Sequence, residues 1–314
     1  MNWLNKILKI FFIIFLFISF HHFSFAQQKP VLSQYMFNGL VINPAYAGVH
    51  EHLNITALYR NQWVNFEGAP TTSTFSAHSG LKGKNIGIGV LASNDKIGVH
   101  NDMSFYTHYA YKIRFNNGSL SMGLQAGLNH LKSDYTLLNL KQPGDPNFGV
   151  VNRSMKFNFG TGLYYNTKTT YVGFSIPYLR KKRIIRENNL EQNFEDSRYY
   201  YLTAGHVLDL TPKIKIKPSV LLRLEENMPV AFDANINFYL EDVLNIGVSY
   251  RSGESLITLF ELKLNNYVRL GYAFDWVISD INNYTAGTHE LMLNYRINLF
   301  APRKHRMCPG PFYY

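Results

Sequence analysis

Some side chains in this sequence have the types that chemistry requires, but their spacing does not suit catalysis. His78 and Ser79 are adjacent, yet neighbouring residues of a strand point to opposite faces, and a nucleophile needs a base and an oriented third group. Four histidines fall on different predicted strands, without the spacing of a metal site: His78, His108, His206 and His289. Cys308 is the only cysteine, so no internal disulfide or cysteine metal site can form. We predict no enzymatic activity, cofactor or bound metal.

A run of basic residues is the strongest candidate for binding chemistry. It consists of Arg180, Lys181, Lys182, Arg183 and Arg186, and it lies in a predicted long loop. Such a run could bind an acidic cargo protein or the phosphates of lipopolysaccharide. Four acidic residues follow directly and could neutralise it as an ordinary solvated loop: Glu187, Glu191, Glu195 and Asp196. The sequence leaves both interpretations open.

Further ionisable residues alternate with apolar ones along the chain. They are Arg60, Arg223, Glu226, Asp233, Glu261, Lys263, Arg269, Asp275, Glu290 and Arg296. In a barrel this parity directs them to the inside, where they could line a transport path or pair across strands and fill the interior. The second interpretation is favoured.

The segments that carry these residues alternate between apolar and polar side chains with a period of two residues. Leu291, Leu293 and Tyr295 fall on one side of the last segment, and Glu290 and Asn294 fall on the other. Segments of this kind predict strands near 53–64, 70–81, 85–94, 103–114, 119–130, 156–166, 169–177, 198–208, 213–224, 229–240, 244–251, 255–264, 266–276 and 288–300. About fourteen strands of about ten residues indicate an all-β fold, an antiparallel transmembrane barrel of an outer membrane.

The lengths of the connections agree with this fold. Every second connection is short, and Asn117-Gly118 predicts a tight hairpin in which both turn residues have positive φ. The long connections, near 131–155, 178–197 and 277–287, all fall at the other end. Outer-membrane barrels have short periplasmic turns and long extracellular loops, which predicts that both termini are periplasmic. A soluble β-sandwich or lipocalin-like barrel also alternates, but it has no reason to sort its loops in this way.

The N-terminus predicts export. Residues 1–26 contain Lys6 and Lys9, an apolar stretch of about eleven residues, and a small-x-small pattern that ends at Ala26, as in a cleaved signal peptide. Removing those two lysines lowers the formal net charge from +10 to +8. Because the chain is predicted to be secreted, this charge favours lipopolysaccharide, outer-membrane lipid headgroups or an acidic protein as partners rather than nucleic acid.

Residues 27–52 do not alternate and form a separate predicted segment, before the barrel (53–300) and a periplasmic tail (301–314). Pro44 forces Asn43 out of helical geometry, and several apolar side chains here cannot stay exposed without cost. We predict either a plug in the periplasmic mouth or a docking segment for a periplasmic partner. The candidate motif comprises Ser33, Gln34, Tyr35, Met36, Phe37, Asn38, Asn43, Pro44, Ala45, Tyr46 and Gly48.

Motifs spread over the mature chain resemble one known family. They lie at residues 33–38, 43–48, 57–63, 68–72, 76–78, 173–177, 217–221, 250–253 and 287–293. In these motifs the chain resembles the PorP/SprF family of the type IX secretion system of Bacteroidetes. The resemblance implies an outer-membrane component that supports export or surface attachment of a cargo protein, in some members for gliding motility. It also implies partners in the periplasmic ring or among peptidoglycan-binding components. The alternative function is a FadL-like channel or transporter for small or hydrophobic solutes.

Overall fold

The computed structural model describes residues 31–138, 151–180, 198–226 and 228–297. The predicted signal peptide (1–26) and tail (301–314) lie outside these ranges and stay predictions. Fifteen strand segments occur in the described part of the chain: β1 Leu53–Asn61, β2 Thr71–Gly80, β3 Ile86–Ile97, β4 His100–Phe115, β5 Gly118–Asp134, β6 Val151–Asn166, β7 Thr170–Ile176, β8 Tyr199–His206, β9 Leu208–Thr211, β10 Ile214–Glu225, β11 Ala231–Leu240, β12 Leu244–Arg251, β13 Ser255–Lys263, β14 Val268–Val277 and β15 Thr288–Ile297.

The strands close into a barrel. β1 pairs with β2 on one side and with β15 on the other, and β10 pairs with β11 as well as with β8 and β9. β8 and β9 are successive segments of one strand interrupted at Val207, so the closed sheet has fourteen antiparallel strands. The predicted fold class and strand number are confirmed. Within the described ranges, no helix is long and apolar enough to cross a membrane.

The two faces of the wall differ as the period predicts. Along β15, Leu291 and Leu293 are 57% and 48% exposed on the outside, whereas Glu290 and Asn294 are buried on the inside. The outer face can therefore meet lipid, while the inner face carries the polar groups. These polar side chains can be buried because they form hydrogen bonds with other parts of the same chain.

The wall is taller on one side than the sequence predicts. β5 continues to Asp134 and β6 begins at Val151, although strands were expected only to 130 and from 156. β3 and β4 are joined by Gly98 and Val99 alone. The opposite side is shorter: β1 ends at Asn61, and Trp63 and Asn65 adopt φ values of 50° and 72° in the connection that follows.

One predicted turn is wrong in its geometry. The chain turns over Asn116 and Asn117, with Phe115 opposite Gly118, and none of these residues has positive φ. Gly118 is required for space, because a Cβ there would lie 2.7 Å from the Asn166 carbonyl oxygen. Two successive turn residues with positive φ occur instead between β11 and β12, at Glu241 (51°) and Asp242 (56°).

Candidate functional site

Residues 31–50, which we call the lumenal segment, lie inside the barrel. They form three single 3-10 turns, Tyr35–Phe37, Gly39–Val41 and Pro44–Tyr46, and no strand. Pro44 opens the third turn, and the Asn43 side chain caps it by accepting a hydrogen bond from the Ala45 N–H at 2.9 Å. Turns this short leave most of their backbone groups unpaired, and a buried backbone group needs a partner. The wall supplies the partners at three levels.

The first level lies near the end of the barrel that carries the long connections. The Glu290 carboxylate accepts hydrogen bonds from the backbone N–H groups of Ser33 and Gln34, at 2.7 and 2.8 Å. The Ser33 hydroxyl donates to Asp275 at 2.8 Å. Arg60 donates to that hydroxyl at 2.6 Å and forms ion pairs with Asp275 (2.8 Å) and Glu290 (3.1 Å). The start of the segment is therefore bound by buried, charge-assisted hydrogen bonds, which are stronger than neutral ones.

These ion pairs continue around the wall. Arg251 contacts Asp233 at 3.1 Å and Asp275 at 3.8 Å, and Arg223 contacts Asp233 at 3.0 Å. Three arginines thus face three carboxylates across strands, counting Arg60 and Glu290. The predicted interior ions that belong to this network do pair across strands. Arg251 belongs to it too and was missed, although its parity on β12 could have revealed it.

The second level holds the Asn-Pro-Ala turn. Asn43 donates from Nδ2 to the Leu163 carbonyl oxygen at 2.9 Å, on β6. The Ser175 hydroxyl of β7 donates to the Ile42 carbonyl oxygen at 2.5 Å. Tyr46 packs edge-on against His78 and Tyr164, with ring centroids 5.4 Å apart in each pair. His78 therefore packs against the lumenal segment rather than against the side chain of Ser79.

The third level lies near the short turns. Lys112 donates from Nζ to the carbonyl oxygens of Gly48 and Val49, at 2.8 and 3.1 Å. The Gly48 N–H donates to His78 Nδ1 at 3.3 Å, and the Gly80 N–H donates to the His50 carbonyl oxygen at 3.1 Å. The segment thus extends through the lumen from the level of Glu290 to the level of Lys112. The segment is therefore not confined to the periplasmic mouth, where the plug alternative of the sequence analysis placed it.

Glycines of the wall make room for the segment. A Cβ at Gly87 would lie 2.0 Å from the Ala47 carbonyl oxygen, and one at Gly123 would lie 2.1 Å from the Ala45 nitrogen. At Gly162 and Gly271 the nearest atoms are side-chain oxygens of Asn43 and Gln34, each 2.1 Å away. A larger residue at Gly87 or Gly123 would collide with backbone atoms of the segment, and one at Gly162 or Gly271 would require the Asn43 or Gln34 side chain to move. The wall and the segment are therefore complementary in shape as well as in hydrogen bonding.

The other residues of the predicted motif also contact the wall. Asn235 donates to the Tyr35 hydroxyl at 2.7 Å, Asn237 contacts the Met36 sulfur at 3.5 Å, and the Ser76 hydroxyl donates to Asn38 at 3.1 Å. Phe37 is buried in an apolar cluster that also contains Leu221, Ile257 and Leu259. The structure thus brings the whole predicted motif together inside the barrel.

The predicted basic run is described only at its first residue. Arg180 is exposed, and its backbone N–H and carbonyl both hydrogen-bond to the Asn158 side chain, at 3.1 and 3.2 Å. Lys181, Lys182, Arg183 and Arg186 lie outside the described residues. In the part of the chain that the structure describes, no three His, Cys, Asp or Glu side chains are placed to hold a metal ion.

Comparison with known proteins gives one family match. Residues 24–295 match the model of the type IX secretion system membrane protein PorP/SprF family, and the search of curated proteins finds no match. Solved structures with a similar fold include the outer membrane protein Omp33 of Acinetobacter baumannii, 9% identical, with a TM-score of 0.49 over 80% of this chain and 100% of that one. The Pseudomonas putida toluene transporter TodX is 10% identical, with a TM-score of 0.46 over 86% of this chain and 95% of that one.

Proposed function

Because the chain belongs to the PorP/SprF family of type IX secretion system membrane proteins, we propose that it is a non-enzymatic outer-membrane component of that system. It supports export or surface attachment of a cargo protein by binding both the cargo and periplasmic components of the machinery. The observation that carries this proposal is the occupied lumen: Glu290, Asn43 and Lys112 mark three levels at which wall and segment are joined. A barrel filled in this way is suited to binding rather than to conduction.

The orientation follows from general features of outer-membrane barrels, whose short turns are periplasmic. In this orientation β1 begins and β15 ends on the periplasmic side. The exposed lysines Lys82, Lys84 and Lys168 of the short turns then form a periplasmic rim suited to an acidic partner, such as a ring or peptidoglycan-binding component. The opposite end, which carries the long connections, faces the cell surface and the cargo.

A cross-linking experiment tests whether the lumen must open. Asn38 of the segment and Ser76 of β2 hydrogen-bond at 3.1 Å, so Asn38→Cys with Ser76→Cys should form a disulfide that locks the segment, in a Cys308→Ser background. The single variant Asn38→Cys is the matched control. A strain lacking the gene should fail to display at least one cargo protein, and the locked variant should restore display as well as the control does.

Three outcomes contradict the proposal. If the gene-deleted strain exports and displays all cargo normally, the protein has no role in secretion. If the locked variant fails while the reduced form works, the lumen is a path rather than a plug. A wide, steady conductance of the wild-type protein in planar bilayers would favour the FadL-like channel instead. Co-purification of secretion-ring lipoproteins from native membranes would favour the proposed function.

A further inference from the structure

The lumenal segment runs through the barrel in a defined direction. Its start is bound by Glu290, the third residue of β15, which begins directly after the long connection at 278–287. Its end is bound by Lys112, close to the point where β4 ends at Phe115 and a short turn follows. Leu53 then begins β1 at that same end of the barrel. With increasing residue number, the segment therefore runs from the end with the long connections to the end with the short turns.

The first described residues are held near the end with the long connections. Val31 and Leu32 are buried in an apolar cluster that also contains Tyr201 of β8. Tyr199 packs against the same cluster, and it is the first residue of β8, which begins after one of the long connections. Together with the hydrogen bonds of Ser33 to Glu290 and Asp275, this packing fixes where the chain enters the described part of the lumen.

The lumen beyond this first level is already filled. Leu40 and Tyr46 of the segment are buried, and the wall touches the segment so closely that a Cβ at Gly87 would lie 2.0 Å from the Ala47 carbonyl oxygen. Protein interiors of this kind are packed as densely as organic crystals. A second pass of the chain toward the short turns would have to displace these contacts. The chain that precedes Val31 therefore leaves the lumen most easily at the end with the long connections.

The length of the chain supports the same conclusion. Glu290 lies opposite Arg60 of β1, and from Leu53 to Arg60 a strand with about 3.3 Å per residue and a tilt of about 40° rises about 18 Å. The predicted cleavage after Ala26 leaves only residues 27–30 before Val31, which reach about 14 Å when fully extended. This reach is shorter than the distance from the level of Glu290 to the short turns.

We infer that the mature chain begins on the cell-surface side of the barrel, although β1 begins on the periplasmic side. The lengths of the connections alone predict a periplasmic N-terminus, but the hydrogen bonds of Ser33 and Gln34 to Glu290 favour the opposite end. A protein at the cell surface can then reach the first residues of the lumenal segment, whereas a periplasmic protein meets only its last ones, near Val49 and His50. The inference rests on the proposed orientation of the barrel and not on its role in secretion.

Cysteine labelling of the full-length protein in intact cells tests this topology, in a Cys308→Ser background. The probe is a polyethylene glycol maleimide, which is too large to cross the outer membrane and adds visible mass to each labelled chain. Gln28→Cys should be labelled in intact cells as fully as after permeabilisation. Asn283→Cys, in an exposed long connection, should behave in the same way. Lys168→Cys, in an exposed short turn, should lose its labelling in intact cells.

The two controls separate the possible failures. Labelling of Gln28→Cys only after permeabilisation, as in Lys168→Cys, would overturn the inference. If Asn283→Cys is protected and Lys168→Cys is labelled, the barrel has the opposite orientation and the inference fails with it, whereas display of the cargo by the same cells still reports on the proposed function. If the cysteine at position 28 is buried and unlabelled in both states, an epitope inserted between Gln28 and Lys29 decides: antibody binding to intact cells supports a surface terminus, and binding only after permeabilisation overturns it. Heat-dependent migration in gels reports whether each barrel folds.

Discussion

Glu290 and Ser33, which are 257 positions apart in the sequence, are joined by a buried hydrogen bond of 2.7 Å. The same carboxylate also accepts from Gln34 and pairs with Arg60. A charged acceptor therefore joins the last strand of the barrel to the start of the lumenal segment. The segment is held by specific bonds to the wall in addition to apolar packing, which makes its attachment open to single substitutions.

Glu290→Gln should release the start of the lumenal segment while the barrel stays folded. The change removes a buried charge that Arg60 and two backbone N–H groups share, and loss of one partner of a buried ion pair costs about 3–5 kcal/mol. Hydrogen exchange of residues 33–37 should rise by about tenfold or more. Glu67→Gln, at an exposed acid, should leave exchange unchanged. Equal exchange in the two variants would show that Glu290 does not hold the segment.

Gly123→Ala should displace the Asn-Pro-Ala turn. Its Cβ would lie 2.1 Å from the Ala45 nitrogen, and the atoms it meets are backbone atoms that cannot rotate away. Overpacking of this kind costs about 1–3 kcal/mol. Planar-bilayer recordings should show more frequent openings, and residues 43–48 should exchange faster. Ser121→Ala, on the same face of β5, removes only a hydroxyl and is the control. A closed, fully protected Gly123→Ala protein would contradict the close fit described above.

Asp233→Asn should destabilise the whole barrel. Arg223 and Arg251 both pair with this fully buried carboxylate, so both would lose charge compensation, at a cost of about 3–5 kcal/mol. The urea concentration for half unfolding in detergent should fall clearly. Lys213→Gln breaks an exposed pair with Glu241 and should change stability by less than about 1 kcal/mol. Similar midpoints for the two variants would show that the buried network adds little.

The sequence predicts the barrel well because lipid on one face and polar groups on the other impose alternation. It fails where that requirement ends. In β5, the residues beyond 130 alternate poorly in burial, since a strand that has left the membrane no longer needs an apolar face. The extra height of β5 and β6 was therefore missed.

Only one side of the candidate site, the lumenal segment, can be predicted from the sequence, and the reason is different. The motif residues of the lumenal segment can be selected from the sequence, because apolar side chains in a non-alternating stretch must be buried somewhere. The wall residues that make room for them cannot be identified from the sequence. Gly87 and Gly123 resemble ordinary small interior residues until Ala47 and Ala45 are placed against them. Such a pairing spans about 40 to 80 positions, and no periodic pattern connects its two members.

Acidification should loosen the end of the lumenal segment nearest β1. Burial, with Arg296 and Arg269 nearby, lowers the pKa of His52 from 6.5 to about 4, and its ring stacks on His50 with centroids 4.9 Å apart. A base whose pKa is lowered by folding contributes stability that is fully present above its unfolded pKa and is lost as the pH falls from 6.5 toward 4. Exchange of residues 47–52, corrected for the intrinsic rate, should rise several-fold between pH 7.5 and pH 5. In His52→Gln, whose side chain does not titrate, this rise should be smaller, and an equal rise in both proteins would assign the pH dependence to other groups.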